Sequence, residues 1–335
     1  MTAHGRGSTT AWSAPGRVLP AGATPHGIDG GVPSEPPVSV SRPRRGRLAA
    51  IIVTARPRQW VKNLLVIAAA GAAGALGREG VPTRVGLAFI AFCLLSAGIY
   101  ALNDVRDVAE DRLHPRKRFR PIAAGELPRT QALVFGVSCV VGGLVLSFAI
   151  RPLLGLVAVG YLVSTVSYTV LWRHVVVLDI LVVALGFVLR ALAGGAAAPV
   201  ALSRWFVLVV TAAAFFVAAG KRHAELVRTR RTPAPDGAGR RVMRHYSEGG
   251  LRLLLSGSGA VALFAYAVWA LQDPDGIPWR LFTVIPFAAC LIRYGLLIRR
   301  GGGEAPEETL LSDRVLLGGG VLWLILFALS VHATT

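Results

Sequence analysis

Apolar runs separated by short polar connections dominate the chain from residue 59 onward. A run of about 20 apolar residues crosses a hydrocarbon core of about 30 Å as a helix. The pattern therefore predicts an all-α, polytopic membrane bundle of about nine transmembrane helices. The predicted spans are 59–77, 83–102, 130–149, 152–171, 175–197, 204–220, 251–271, 280–298 and 313–332.

Residues 1–48 have a different pattern, without apolar periodicity. They are rich in Pro, Gly, Ser and Ala and end in the basic sequence SRPRRGR. Segments of this composition bury too little apolar surface to fold, and they lack the apolar core of a signal peptide. We therefore expect a disordered basic cytoplasmic tail over 1–48 and a single membrane domain over 49–335.

Composition and charge support a membrane protein and suggest its orientation. The chain is 53% hydrophobic and 16% charged, with a net charge of +18, whereas soluble domains contain about 25% charged residues. The basic residues concentrate in 42–62, 103–129 and 221–250. By the positive-inside rule these segments and the N terminus face the cytoplasm at the plasma membrane. Since the basic residues flank apolar spans, no nucleic-acid partner is expected.

An acidic motif, NDVRDVAED, follows the second predicted span. On one continuous helix Asn103, Asp104, Asp107 and Asp111 share a narrow arc. Carboxylates this close repel each other unless a cation lies between them. Mg²⁺ suits this position, because it binds carboxylate and substrate phosphate oxygens. We therefore predict that Asp104, Asp107 and Asp111 are catalytic and that, with Asn103, they hold Mg²⁺.

A basic run, HPRKRFRPIAAG, comes directly after the acids. Each of its cations taken singly also fits positive-inside topology. As a cluster beside acidic residues, however, cations are suited to binding phosphate oxygens. Lys117, Arg118 and Arg120 are accordingly predicted to bind substrate.

A second polar patch, KRHAE, ends the sixth predicted span. Lys221 and Glu225 are spaced i,i+4 and face together on a helix. A charge-paired surface turn would explain them equally simply. We predict substrate contacts for Lys221, Arg222 and Glu225, and none for His223, since nothing nearby completes a metal set.

A third patch, RPRQWVKNLL, begins the first predicted span. Arg58, Lys62 and Asn63 would lie at the cytoplasmic mouth and contact substrate, although anchoring at the interface is the alternative. Tyr168 in the fourth span is a further candidate for substrate binding. Arg190 lies too deep for the same site and is expected to be a buried structural partner.

These motifs together resemble the UbiA-type intramembrane transferase superfamily over about residues 50–333. The strongest match is NDVRDVAED, which resembles that superfamily's first aspartate-rich motif, N-D-x-x-D-x-x-x-D. The resemblance implies a nine-helix bundle with a lateral opening to lipid. It also implies that Asp104, Asp107 and Asp111 bind Mg²⁺ and a diphosphate.

The chain departs from that superfamily at the second acidic motif, D-x-x-x-D, where it reads KRHAE. One branch fits the change: the sequence looks like decaprenyl-phosphate phosphoribosyltransferases in HPRKRFRPIAAG, GFVLRALAGG, GKRHAEL and PEETLLSDR. The resemblance implies transfer of 5-phosphoribose from phosphoribosyl diphosphate to a polyprenyl (decaprenyl) phosphate, for cell-wall arabinan precursors.

Several alternatives stay open from the sequence. A prenyltransferase acting on an aromatic acceptor keeps the superfamily but changes the chemistry, and a transporter is a different class. Lys221 and Arg222 could hold either the acceptor phosphate or the 5-phosphate of the donor. The polyprenyl length is not determined, and a homo-oligomer is possible.

Overall fold

The computed structural model describes residues 45–172, 178–231, 246–272, 279–300 and 306–332, and within these ranges it is built from helices. Short 3₁₀ segments lie at Pro57–Asn63, Lys117–Phe119 and Trp279–Thr283, and a π turn at Tyr168–Trp172. The α-helices are α1 Arg47–Ala55, α2 Leu64–Ala72, α3 Val81–Arg106, α4 Val108–Leu113, α5 Arg129–Ile150, α6 Pro152–Ser167, α7 Leu178–Ala197, α8 Arg204–Arg231, α9 Glu248–Leu271, α10 Val284–Arg299, α11 Pro306–Ser312 and α12 Arg314–His332.

Seven helical segments of the described residues are long and apolar enough to cross a membrane. They are Val81–Arg106, Arg129–Ile150, Pro152–Leu171, Leu178–Ala197, Arg204–Arg230, Glu248–Leu271 and Arg280–Arg299. The pair α11 and α12, bent by 87°, is a further candidate. The predicted all-α multi-pass architecture is confirmed, and the count agrees roughly with nine.

The first predicted span, 59–77, differs most from its prediction. Its first part is a 3₁₀ segment, Pro57–Asn63, and α2 contributes only nine residues. Pro57 fixes the start of this segment, and the polar side chains that follow bond to other helices instead of facing lipid. Of the predicted tail, residues 1–44 lie outside the described residues, and α1 already begins at Arg47.

Small residues let the helices approach closely, as expected for packing in lipid. A Cβ at Gly98 of α3 would lie 2.7 Å from the carbonyl oxygen of Gly136 on α5. A Cβ at Gly194 of α7 would overlap the carbonyl oxygen of Val66 on α2. The main hydrophobic cluster, which includes Phe92, forms around these contacts.

The direction of the helices brings the polar motifs to one end of the bundle. Since α3, α5, α6, α7 and α8 follow one another as antiparallel spans, the end of α3, the end of α6, the start of α7 and the end of α8 share that end. Asp104, Tyr168, Asp179 and Arg222 lie in these four regions.

Candidate active site

The acidic motif folds as two helices joined at Asp107. α3 ends at Arg106, Asp107 has φ −88° and ψ 10°, and α4 begins at Val108. The backbone N–H of Asp107 still donates to Asn103 O at 2.9 Å, so the bend is local. The backbone N–H of Asp111 in turn donates to Asp107 O at 2.9 Å, so Asp104 and Asp111 lie two helical turns apart.

Asp104 and Asp111 contact the same cation. Arg120 Nη1 donates to Asp104 Oδ1 at 3.1 Å and to Asp111 Oδ2 at 2.7 Å. Arg56 Nη2 donates to Asp104 Oδ1 at 2.6 Å. Only 4% of the Asp104 side chain and 2% of the Asp111 side chain are exposed. We call these two aspartates and two arginines the first acid cluster; their formal charges cancel.

Asp107 and Asn103 are not part of this cluster. Asp107 Oδ1 accepts a hydrogen bond from Arg106 Nε at 2.8 Å. The backbone bonds from Asp107 N–H to Asn103 O and from Asp111 N–H to Asp107 O keep helical spacing, so the role of Asp107 and Asn103 as metal ligands stays a prediction. Among the described residues, no three acidic, histidine or cysteine side chains lie close enough together to hold a metal.

A tight turn returns the chain toward the acids. His114 Nδ1 accepts from the backbone N–H of Arg116 at 3.2 Å and of Lys117 at 3.3 Å. Partial burial, with the positive charge of Lys117 next in importance, holds the pKa of His114 below its ordinary value. Neutral His114 therefore keeps an acceptor for both N–H groups.

Hydrophobic contacts anchor the basic run beyond this turn. Ile122 and Leu127 are buried in a cluster with side chains of α1, α4 and α5. This anchorage lets Arg120 reach inward to the acids, while Lys117 and Arg118 stay exposed. The Arg118 guanidinium lies 4.8 Å from the ring centre of Phe119. The predicted phosphate-binding residues thus divide into one that contacts acids and two that face outward.

Arg56 reaches the first acid cluster from a left-handed backbone conformation, with φ 52° and ψ 62°. This conformation costs a non-glycine residue of the order of 1 kcal/mol and persists where the surroundings hold it. Here the ion pair to Asp104 does so, with the guanidinium 4.6 Å from the ring centre of Tyr100. The sequence analysis did not select Arg56.

A second set of acids surrounds Arg222, which is only 2% exposed. Its Nε pairs with Asp179 Oδ2, its Nη1 donates to Glu225 Oε2 at 2.6 Å, and its Nη2 donates to Asp179 Oδ1 at 2.5 Å. Tyr168 Oη donates to Asp179 Oδ1 at 2.5 Å and accepts from Arg222 Nη2 at 3.1 Å. We call these four residues the second acid cluster.

The second acid cluster brings together three predicted site residues and Asp179. The sequence analysis paired Glu225 with half-buried Lys221, whereas the structure also joins Glu225 to Arg222. Every nitrogen of the Arg222 guanidinium contacts an acid or Tyr168. This arrangement orients Asp179 and Glu225, and a phosphate at Arg222 would have to compete with both.

Lys62 lies at the same end of the bundle as the two acid clusters, but its partners are Gln59 and, on α11, Glu307. Its Nζ donates to Gln59 Oε1 at 2.6 Å and lies 3.2 Å from Glu307 Oε2. Gln59 also donates to Glu307 Oε1. Arg58 is exposed and makes no hydrogen bond or ion pair with a described residue. Of Arg58 and Lys62, therefore, only Lys62 bonds to described residues of the bundle.

Asn63 lies deeper, in contact with Arg190. Arg190 Nε donates to Asn63 Oδ1 at 2.8 Å, and its Nη2 donates to Tyr161 Oη at 2.7 Å. Both Asn63 and Arg190 are buried. The geometry agrees with a structural role for Arg190, and it makes Asn63 the partner of Arg190 instead of a residue at an open mouth.

The family profile described as the UbiA prenyltransferase family matches residues 64–313. This chain belongs to the UbiA prenyltransferase family. The match runs from the start of α2 to the residue before α12 and contains every residue of both acid clusters except Arg56. It confirms the family that the acidic motif predicted.

Two curated relatives agree with the branch that the sequence resembles. The chain is 39% identical over 297 residues to a decaprenyl-phosphate phosphoribosyltransferase of Mycolicibacterium smegmatis, covering 84% of this chain and 92% of that protein. It is 37% identical over 299 residues to a decaprenyl-phosphate phosphoribosyltransferase of Corynebacterium glutamicum, covering 87% of this chain and 89% of that protein.

A solved UbiA structure supports the fold. The structure of a UbiA homologue from Archaeoglobus fulgidus bound to GPP and Mg²⁺ superposes with a TM-score of 0.65 and 16% identity. It covers 84% of this chain and 99% of that one. The solved structure therefore shows the same helical architecture, and the family match together with the curated relatives shows that this UbiA chain is a transferase.

Four contributors to the polar end of this UbiA protein were not selected as site residues. They are Arg56, Gln59, Asp179 and Glu307. The polar residues Arg56 and Gln59 before an apolar run were a usable signal, and Asp179 stands alone in an apolar helix, which is costly in lipid without a partner. Glu307 carried no comparable signal, since its partner is far away in sequence.

Proposed function

We propose that this UbiA protein transfers 5-phosphoribose from phosphoribosyl diphosphate to a membrane polyprenyl phosphate, such as decaprenyl phosphate, and releases diphosphate. The observation that carries the proposal is the cation-binding point between Asp104 and Asp111, beside exposed Lys117 and Arg118. The substrate class follows the printed activity of the two curated relatives. The product would supply arabinan precursors.

The first acid cluster fits a divalent metal. Two buried carboxylates already converge on one cationic nitrogen, Arg120 Nη1, and both offer hard oxygen ligands. Mg²⁺ in proteins is commonly held by one or two carboxylates together with substrate phosphates. Asp104 and Asp111 would hold the ion, and we assign Asp107 and Asn103 as further ligands. When bound, Mg²⁺ would neutralise charge on the leaving diphosphate.

The basic residues would bind the rest of the diphosphate. As substrate arrives, Arg120 exchanges carboxylate oxygens for phosphate oxygens, and Lys117 and Arg118 add charge from the exposed side. The bond between the anomeric carbon and the diphosphate oxygen breaks, and the electron pair leaves with the diphosphate. Lys117, Arg118 and Arg120 thus stabilise the negative charge that develops there.

The acceptor needs little activation. Its phosphate is anionic near pH 7, so its oxygen can attack the anomeric carbon without a general base. Lys62, Lys221 and Arg58 are the cations we assign to positioning this phosphate or the 5-phosphate. Arg222 holds Asp179 and Glu225 in place, so that catalysis rests on positioning and electrostatics.

The lipid part of the acceptor requires a site at the membrane surface. We propose that the polar end of the bundle faces the cytoplasm at the plasma membrane, where the basic connections lie. A water-soluble donor then reaches the acid clusters from the cytoplasm, while the polyprenyl chain stays in the bilayer.

A lipid-transfer assay tests the proposal. Membranes containing the protein receive Mg²⁺, phosphoribosyl diphosphate labelled in the ribose, and decaprenyl phosphate, and the lipid is then extracted. We expect label in the lipid fraction, none after chelation of the metal, and strongly reduced label with an Asp104→Asn variant. Manganese titration followed by electron paramagnetic resonance measures metal binding separately, without turnover.

The same assay tests the competing prenyltransferase activity. A parallel reaction contains a labelled prenyl diphosphate and an aromatic acceptor. If the aromatic product forms while ribose label stays in the aqueous phase, the phosphoribosyltransferase proposal is wrong. Transfer that continues without a divalent metal would remove the metal assignment and keep the substrate assignment.

A further inference from the structure

A groove of about 380 Å³ lies between α8, α9 and α10. Arg222, which contacts Asp179 from α8, does not line it. Its walls are mostly apolar and include Phe216, Leu255 and Leu291. Ala260 and Ile292 on its rim are exposed on the surface of the bundle. The groove therefore opens outward, where a membrane-spanning bundle meets lipid.

His223 lines one end of this groove and has no role in the proposed reaction. It is 1% exposed, and neither ring nitrogen has a hydrogen-bond partner among the described residues. The nearest acid is Glu248, whose Oε1 lies 3.9 Å from Nε2, beyond hydrogen-bond distance. Buried polar atoms in native proteins are nearly always paired with protein, water or ligand groups. An unpaired imidazole in a groove indicates a missing partner.

The end of the groove at His223 is positively charged. Arg252 of α9 and Arg299 of α10 line it, and Arg230 lies close by, paired with Glu248 at 2.7 Å. Arg252 also pairs with Glu248, whereas Arg299 makes no ion pair with a described residue. Three arginines against one carboxylate leave a net positive rim. The complementary ligand group is an anion.

The groove extends from this rim for about half of a membrane. Its lining runs along α9 from Arg252 to Leu263 and along α10 from Arg299 to Ala288. Both segments advance by eleven residues, which is about 16 Å of helix. One leaflet contributes about 15 Å of hydrocarbon. A ligand with an anionic head at Arg299 and a chain the length of one leaflet fits this shape.

We propose that this groove binds an anionic phospholipid of the leaflet on the active-site side of the membrane. The phosphate lies between Arg252 and Arg299 and accepts a hydrogen bond from His223, while an acyl chain lies along the apolar wall toward Leu263. The bilayer supplies such lipids at high concentration. A long polyprenyl chain would extend beyond a groove of this length, so the acceptor of the transfer reaction is the less fitting occupant. The site is independent of the proposed activity.

The test measures lipid preference on the whole purified protein after removal of lipid by detergent. Phosphatidylglycerol, phosphatidylcholine or decaprenyl phosphate is added back, and retained lipid is measured by native mass spectrometry together with the thermal midpoint. We expect phosphatidylglycerol to be retained preferentially and to raise the midpoint more than phosphatidylcholine does. An Arg252→Gln/Arg299→Gln variant should lose about tenfold in apparent affinity for phosphatidylglycerol.

Two controls separate the groove from general charge and hydrophobicity. An Arg116→Gln/Arg129→Gln variant removes two exposed arginines elsewhere, and it should keep the preference for phosphatidylglycerol. Ala260→Phe fills the groove without changing charge and should reduce retention, whereas Leu253→Phe, on the same helix but outside the groove, should not. This pair keeps the test decisive if the double arginine variant does not fold.

Three results would overturn the proposal. One is equal retention of anionic and zwitterionic phospholipid by the unmodified protein. Another is an unchanged preference in both the double arginine variant and Ala260→Phe. The third is a response to decaprenyl phosphate alone that disappears in these variants, which would identify the groove as a site for the acceptor.

Discussion

The two acid clusters use the same chemistry in different surroundings. In the first, the arginines that pair with Asp104 keep 27% and 29% of their side chains exposed. In the second, Arg222 is 2% exposed and bonded on every nitrogen. The first cluster therefore has cations that can leave toward solvent, and the second has a cation enclosed by its acids.

This difference in exposure suggests that the two acid clusters have different roles. A half-exposed arginine loses little solvation when it moves from a carboxylate to a phosphate, so the first cluster can exchange partners during turnover. A buried pair that is broken leaves an uncompensated charge, which costs several kcal/mol. The second cluster is thus suited to joining α6, α7 and α8, and the first to binding a substrate.

The largest expected effect comes from removing the enclosed cation. Arg222→Ala removes the guanidinium that pairs with buried Asp179 inside the bundle, and we expect a loss of about 3–5 kcal/mol in stability. Thermal unfolding in detergent measures it. The matched variant in the first cluster, Arg120→Ala, removes a cation whose side chain is 29% exposed, and it should lower the midpoint less, because Arg56 still pairs with Asp104. Similar midpoints for both variants would contradict the proposed difference in roles.

The next effect concerns catalysis at the first cluster. Asp104→Asn removes the carboxylate shared by both arginines, and we expect transfer of ribose label to fall by about 10²–10³-fold. The thermal midpoint should change little, because the two partners are partly exposed. Glu110→Gln, which alters an exposed acid of the neighbouring α4, is the control and should retain activity. A comparable loss of transfer activity in both variants would show that activity depends on the total charge of this region and not on the first acid cluster.

A smaller effect should separate metal binding from catalysis. Arg120→Gln removes the cation that occupies the point between Asp104 and Asp111. We expect manganese to bind more tightly in the absence of substrate, while transfer falls about tenfold because a phosphate contact is lost. Electron paramagnetic resonance and the lipid-transfer assay measure the two quantities. Weaker manganese binding would mean that Arg120 supports the metal instead of competing with it.

The smallest effect is a pH dependence at the turn beside the first cluster. The folded pKa of His114 is lowered by burial and by Lys117, Arg120 and Arg116, against a raising influence of Asp111. As the pH falls, His114 is therefore protonated more readily in the open turn than in the folded turn. Acidification below about pH 6.5 then favours opening of the turn. Amide hydrogen exchange at Arg116 and Lys117, corrected for its intrinsic pH dependence, should accelerate there. His114→Asn keeps an acceptor without titrating, and persistence of the acceleration in it would exclude His114 as the cause.

Much of the architecture was predictable because apolar periodicity determines transmembrane helices strongly. The first predicted span differs because the polar side chains of Gln59 and Lys62 find partners on α11, and no local pattern reports a contact across the whole chain. Local helix geometry likewise predicted the closeness of Asp104 and Asp111. It did not predict the pair between Asp107 and Arg106, because adjacent residues do not share a face of a helix.

The second acid cluster was only partly predicted from the sequence. Arg222 and Glu225 were selected from one helix, and Tyr168 from another, but their common partner Asp179 was not. A single helix reveals which residues share its face, and only tertiary packing reveals which faces meet. The same reason explains why Arg56 was missed, since its role depends on a left-handed backbone turn toward α3.

The contact between Lys62 and Glu307 joins the first and last parts of the membrane domain. These two segments have no direct peptide connection, and the contact between them, which we call the seam, is made by the side chains of Gln59, Lys62 and Glu307. The seam can therefore widen sideways without stretching a loop. If the domain is expressed as two separate fragments, the fragments must form the same contact again. With cysteines in place of Lys62 and Glu307, we expect co-expressed fragments to become cross-linked to each other.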